Sequence, residues 1–210
     1  MTRPTVPSAD GRVADQLRFL LEVDALKGVL RQSYVLDGSR RENSAEHSWH
    51  AALFALVLAE HAAEPVDPSR VIAMLVVHDL VEVDAGDTYV YDDAAQATRA
   101  ARERVAANRV FGLLPADQGP RLRALWEEFE AGVTADARFA NAMDRLAPIL
   151  LNFVNDGRTW RQHGVTVGKV RARNANVGAA APALGEVVAS IVEDAMDRGW
   201  IREDAGEPCP

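Results

Sequence analysis

The chain has 210 residues, 48% of them apolar and 26% charged, with a formal net charge of −8 and a pI near 5.1. That length is enough for one ordinary domain with a real core. The acidic balance excludes electrostatic binding to nucleic acid or to an anionic membrane, since both need a basic footprint.

The single cysteine, Cys209, leaves no partner for an internal disulfide and no basis for a cysteine-built metal site. The first twelve residues are polar and broken by Pro4 and Pro7, unlike a signal peptide. The apolar run 51–59 is too short to cross a bilayer. A reducing cytoplasm fits these features.

Helical periodicity sets the order of elements. Residues 13–27 read as a first amphipathic helix, with Val13, Leu17, Leu20, Leu21 and Asp24 along one side. Residues 31–43 are polar, contain Gly38 and read as a loop. Ser44 is a good N-cap for a helix reaching residue 63. Pro65 and Pro68 then punctuate the chain, and Pro68 suits the start of the next helix.

That helix, 69–85, is apolar on nearly every side up to His78, the mark of a central element, and Gly86 closes it. Residues 92–111 form an outer helix, and 121–131 another. Thr134 caps a helix over 135–154, with a kink expected at Pro148. Residues 157–168 read as loop, and 182–198 as a last helix. No strand pattern stands out. The expected architecture is one all-α bundle of six or seven helices over residues 13–200, with polar tails at 1–12 and 201–210.

Four side chains point from these helices towards the interior. His47 shares its side with Ala51, Phe54 and Leu58; taken alone it reads as a hydrogen-bonded core histidine. His78 follows Val71 and Met74, while Asp79 follows Ile72 and Leu75. A buried aspartate beside a buried histidine needs a partner, either a structural hydrogen bond between the two or a divalent cation. Asp144 lies on the side of Ala147, Leu151 and Val154; the alternative there is a salt bridge to Arg145 or Arg138. Together they make the pattern H-x30-H-D-x64-D.

The stretches RENSAEHSW (41–49), HDLVEVDAGDT (78–88) and DRL (144–146) resemble those of the HD-domain metal-dependent phosphohydrolases. Within them the chain is most similar to the group that includes the bacterial 5'-deoxynucleotidases and their HD-domain-containing relatives. LWEEFE (125–130) and PILLN (148–152) add to the likeness, which covers residues 15–160.

The resemblance implies one divalent metal ion held by His47, His78, Asp79 and Asp144. Manganese, cobalt, zinc, magnesium, iron and nickel are equally admissible. It implies an acid/base role for Glu82, four residues after His78. Asp87 matches a family aspartate after the glycine turn, where it holds water or substrate or caps the next segment. Arg31 stands eleven residues before Glu42, the separation at which the nucleotidases carry a phosphate-binding arginine; an ordinary loop arginine is the alternative. The nucleotidases often place Trp after that arginine, and this chain has Gln32.

No histidine lies between His78 and Asp144, which favours a mononuclear site. His50 is expected to pack, and His61, His163 and Asp84 to face solvent. The expected reaction is hydrolysis of a phosphate monoester, a nucleoside 5'-monophosphate first. Other phosphate esters (cyclic nucleotides, nucleoside triphosphates, sugar phosphates) and a non-catalytic metal-bearing helical protein are the alternatives. Relatives are commonly homodimers, so a homodimer is expected.

Overall fold

Caps and breakers visible in the sequence divide the chain into eight long helices and two short ones among the described residues. The structure, a computed structural model, describes residues 11–204; Pro4, Pro7, Cys209 and most of both expected tails lie outside that range.

Helix α1 (Gly11–Val23) runs into a 3-10 turn, Asp24–Gly28. Its buried anchor is Phe19, and Val13, Leu20 and Leu21 of the expected stripe are exposed. Asp24 faces solvent beside Lys27.

The segment expected as loop is instead a hairpin. Strand β1 (Leu30–Tyr34) pairs antiparallel with β2 (Arg41–Asn43), Leu30 opposite Asn43 and Tyr34 opposite Arg41. Strands this short carry too few residues for a period-two pattern to stand out. Their effect is positional, since β1 carries Arg31 and β2 carries Glu42.

Helix α2 (Ser44–Leu58) is capped by Asn43 rather than Ser44. Asn43 accepts from the Glu46 backbone N–H at 3.0 Å, and the Glu46 carboxylate accepts from the Asn43 N–H at 2.8 Å. Asp67 caps α3 (Pro68–Val77), with Pro68 in its first turn.

The helix expected over 69–85 is broken. Helix α3 ends at Val77, His78 forms its C-cap, and the chain tightens through Leu80 N–H to Val77 O and Glu82 N–H to Asp79 O. A single turn, α4 (Glu82–Ala85), follows, and Gly86 stops it at φ 72°. The break lets one apolar run serve two cores. Val71, Met74 and Leu75 join a cluster with Phe139, Met143, Leu146 and Trp160. Val77, Leu80 and Val81 join another with Phe19, Val110, Phe111 and Trp126.

Helices α5 (Asp93–Phe111) and α6 (Gly119–Ala131) cover one side. Thr134 caps α7 (Ala135–Val154), which continues through Pro148. The expected loop 157–168 contains α8 (Arg158–His163), set between Gly157 and Gly164, both at positive φ. Helix α9 (Val167–Ala180) takes the long helices to eight against the six or seven expected, and α10 (Pro182–Asp197) packs on it. Helix α9 buries Val167, Val170, Asn174 and Val177; the polar Asn174 interrupts the apolar stripe that would have marked it. No helix among the described residues is long and apolar enough to cross a membrane.

Candidate metal centre and its cleft

The end of α3, the start of α2 and the middle of α7 meet at one point. There the ligand atoms of His47, His78 and Asp144 lie within 4.8 Å of one another. His47 Nε2 is 2.9 Å from Asp144 Oδ1, and the two imidazole rings are 5.6 Å apart. Both histidines are buried. Asp144 therefore partners the histidines, not Arg145 or Arg138, and Arg138 instead reaches Glu64.

His78 has its orientation set from behind. Its Nδ1 lies 2.8 Å from the Leu75 carbonyl, so Nδ1 carries the proton and donates it there. The opposite nitrogen, Nε2, sits 3.1 Å from Asp79 Oδ1 and 3.5 Å from Asp144 Oδ1, yet makes no hydrogen bond. A neutral imidazole here would aim a lone pair at two carboxylate oxygens. That arrangement is repulsive unless a proton or a cation lies between them. Burial drives the His78 pKa down, but Asp79 and Asp144 more than offset it and raise the pKa to about 9. His47 is raised as well: burial and Arg31 push it down, and Asp144 and Glu42 outweigh them. Burial raises Asp144, but the two histidines hold it well below the usual carboxylate range.

Around this cluster lies a set of polar groups. Asp79 accepts from Arg31 Nη1 at 2.9 Å through Oδ2, the oxygen turned away from His78. Arg31 also stands 3.7 Å from Asp87 and 3.8 Å from Glu42. Glu42 Oε2 approaches His47 Nδ1 at 3.6 Å, and both atoms are buried without a hydrogen bond. Glu82 is buried and accepts from Ser44 Oγ at 2.6 Å. Burial, with Asp79 and Asp87 nearby, raises the Glu82 pKa to about 9 against the pull of Arg31. Burial also raises Asp87, again opposed by Arg31.

Of the seven residues singled out from the sequence, His47, His78 and Asp144 form the cluster itself, while Asp79 stands beside it, 3.1 Å from His78 and bonded to Arg31, and Arg31, Glu82 and Asp87 lie around it. Glu82 arrives by a route different from the one expected, through the turn after His78 and not along a continuous helix. Three contributors were not foreseen. Ser44 is free to meet Glu82 because Asn43 does the capping. Glu42 stands behind His47, and Arg145 flanks Asp144. Glu42 and Ser44 both fall in the 41–49 motif, so that motif held the signal. The remaining histidines behave as expected: His50 packs edge-on against Phe54 at 4.7 Å, and His61 and His163 are exposed. Asp84 faces outward and pairs with Arg109.

The donor set fits a divalent cation. Neutral imidazole and carboxylate are ordinary ligands for such ions, and His78 Nε2 is a buried donor atom with no other occupation. The cluster opens onto a cleft walled by Arg31, Asp87, Tyr89, Asp144, Arg145 and Arg173.

Residues 23–185 match the model of the HD domain, and the chain belongs to that family. It is 49% identical to a predicted metal-dependent phosphohydrolase from Magnetospirillum magnetotacticum MS-1. The two structures align with a TM-score of 0.88 over 94% of this chain and 99% of the other. It is 32% identical over 147 residues to 5'-deoxynucleotidase HDDC2 of Bos taurus, covering 69% of this chain and 70% of that protein. With the Homo sapiens protein of the same name it shares 31% over 135 residues, 64% of this chain and 65% of the relative, so just under two thirds of the human protein is matched. An HD-domain phosphohydrolase from Listeria innocua, at 15% identity and a TM-score of 0.59, shares the fold.

Proposed function

We propose that this chain is a metal-dependent phosphohydrolase that cleaves the phosphate monoester of nucleoside 5'-monophosphates. The observation that carries the reading is His78 Nε2, buried without a hydrogen bond between Asp79 and Asp144 and beside a cleft that Arg31 lines. The 5'-deoxynucleotidase relatives support the substrate class.

In this reading His47, His78, Asp79 and Asp144 hold one divalent ion. When bound, the ion polarises a phosphoryl oxygen and lowers the pKa of a water. The protein's own groups do the rest. Leu75 and Glu42 orient the two imidazoles from behind. Arg31, fixed by Asp79, presents its fork to the substrate. Glu82, whose pKa is raised by its buried setting, passes a proton between the attacking water and the departing alkoxide. Ser44 holds the Glu82 carboxyl in place. Asp87 keeps Arg31 in register and orders the nucleophile side.

Gln32 lines the cleft where the nucleotidases often carry Trp, bonded to Arg41 at 2.6 Å and to His163 at 3.2 Å. A slim, tethered amide stands where that ring would be, so the reading carries no preference between ribose and deoxyribose. The test is phosphate release from paired ribo- and deoxyribonucleoside monophosphates with manganese, cobalt, zinc, magnesium, iron or nickel. Turnover with at least one ion is expected. Silence across the whole panel, extended to other phosphate esters, would leave a non-catalytic binding protein.

A further inference from the structure

Arg31 alone leaves the cleft short of positive charge for a substrate dianion. Its charge is already met by Asp79, Asp87 and Glu42, all within 4 Å. A phosphate monoester dianion entering an acidic site needs further cations, and the cleft holds two. Arg145, next to Asp144 on α7, and Arg173 on α9 both line it. Neither has a carboxylate partner within salt-bridge distance among the described residues. Arg145 donates from Nη1 to the Arg173 carbonyl at 3.3 Å, while its Nε is buried without a partner. Elsewhere the half-buried Arg99 is paired with Glu103 and Glu130, so this protein does neutralise interior guanidinium groups where no ligand is due.

Two more orphaned atoms line the same cleft. The Tyr89 hydroxyl and Asn152 Oδ1 are both buried without hydrogen-bond partners. Unsatisfied buried polar atoms are few in native proteins, and four of them, counting Arg31 Nε, line this one opening.

We infer that Arg145 and Arg173 form the cationic seat for the phosphate oxygens of the substrate, resting on the phosphate-ester reading above. A guanidinium fork matches phosphate oxygens in pairs, which an ammonium cannot do. Arg31, held by its carboxylates at the metal side of the cleft, reaches the phosphate from there, and the Arg145–Arg173 pair adds the charge on the opposite wall. Tyr89 and Asn152 are left to meet the polar groups of the esterified alcohol.

The test uses the metal-loaded protein, with inorganic phosphate as the probe in calorimetric titration and a nucleoside monophosphate in steady-state assays. Arg173→Gln and Arg145→Lys should each weaken phosphate binding and raise KM by roughly tenfold or more, the size of a lost charge-assisted hydrogen bond. Metal content and circular dichroism should stay unchanged. Arg171→Gln removes the same charge from an exposed position on α9 and should alter neither constant. If Arg145→Lys misfolds, the half-buried Arg173→Gln carries the test alone. Unchanged phosphate affinity and KM in Arg173→Gln and Arg145→Lys would overturn the inference while leaving phosphate-ester hydrolysis standing. Arginine-dependent phosphate binding in a protein that hydrolyses no ester would uphold the seat and overturn the hydrolase reading. A wild-type protein that binds no phosphate would overturn the seat.

Discussion

Ser44, the first residue of α2, donates its hydroxyl across 2.6 Å to Glu82, the first residue of α4. The bond ties α2, which carries His47, to the turn that follows His78, and it stabilises the ionised form of a carboxyl that burial pushes towards neutrality. Ser44→Ala should therefore shift the Glu82-dependent limb of the kcat–pH profile upward and lower kcat roughly fivefold near neutral pH, the scale of one net hydrogen bond. Glu82→Gln should lower kcat by about 10²–10⁴-fold, the usual range for a lost acid/base group, with metal content retained. Loss of the metal from Glu82→Gln would mean that Glu82 is a ligand and not a proton carrier.

Glu42 lies 3.6 Å behind His47 and touches no other member of the metal cluster. Carboxylates in that position set the tautomer and basicity of a ligating imidazole. Glu42→Gln should weaken metal affinity by about 10–100-fold, while activity at saturating metal recovers most of its wild-type value. Competition against a metal-sensitive dye measures the first, and a metal titration of rate measures the second.

Protons and metal compete for His78. Its pKa of about 9 without metal means that uptake near neutral pH displaces a proton. Calorimetry in buffers of different ionisation enthalpy should show about one proton or more released per ion, with apparent affinity rising as pH approaches 9.

The stability of the metal-free chain should follow the opposite trend. His78 is raised above its usual 6.5, so its contribution is complete below about 6.5 and is lost as pH rises through about 9. Glu82 is raised above its usual 4.5, so folding opposes its ionisation, an effect that grows from about 4.5 and is complete near 9. In both cases the folded state binds more protons than the unfolded one, and stability falls as pH rises. The metal-free melting temperature should be higher at pH 6 than at pH 9, and metal should restore it most at pH 9.

Helices α9 and α10 cross where Gly178 faces Gly185. A Cβ added at Gly185 would lie 2.4 Å from the Gly178 Cα, whereas one added at Gly178 would find ordinary contact at 3.6 Å. Gly185→Ala should cost about 1–3 kcal/mol through forced separation of the helices. Gly178→Ala should be neutral or gain up to about 1 kcal/mol in helix propensity. Thermal denaturation of the two variants gives the comparison.

Much of this architecture was legible because its signals are local. Pro68, Thr134 and Gly86 act at the boundaries where their residue types predict starts, caps and stops. The four candidate ligands were legible as buried polar residues on apolar helix faces. What stayed hidden depends on tertiary context. The break after Val77 leaves no mark in a run that is apolar on all sides, because either of two cores can take each residue. The hairpin that delivers Arg31 is too short to show alternation. Helix α9 hid behind Asn174, a polar residue in its buried stripe, and the role of Arg173 was hidden with it. The cap of α2 is a different case, because the signal is local: Glu46 stands three residues after Asn43, not after Ser44, and completes a capping box with it.

The central claim is that His47, His78, Asp79 and Asp144 enclose a single cation. Anomalous diffraction from crystals grown with manganese or cobalt, recorded at the metal's absorption edge, tests it most directly. The account predicts one strong peak per chain, with His47, His78 and Asp144 at ligand distances of about 2.0–2.2 Å and Asp79 completing the protein donors. No peak there, or a peak bound by a different set of side chains, would contradict it.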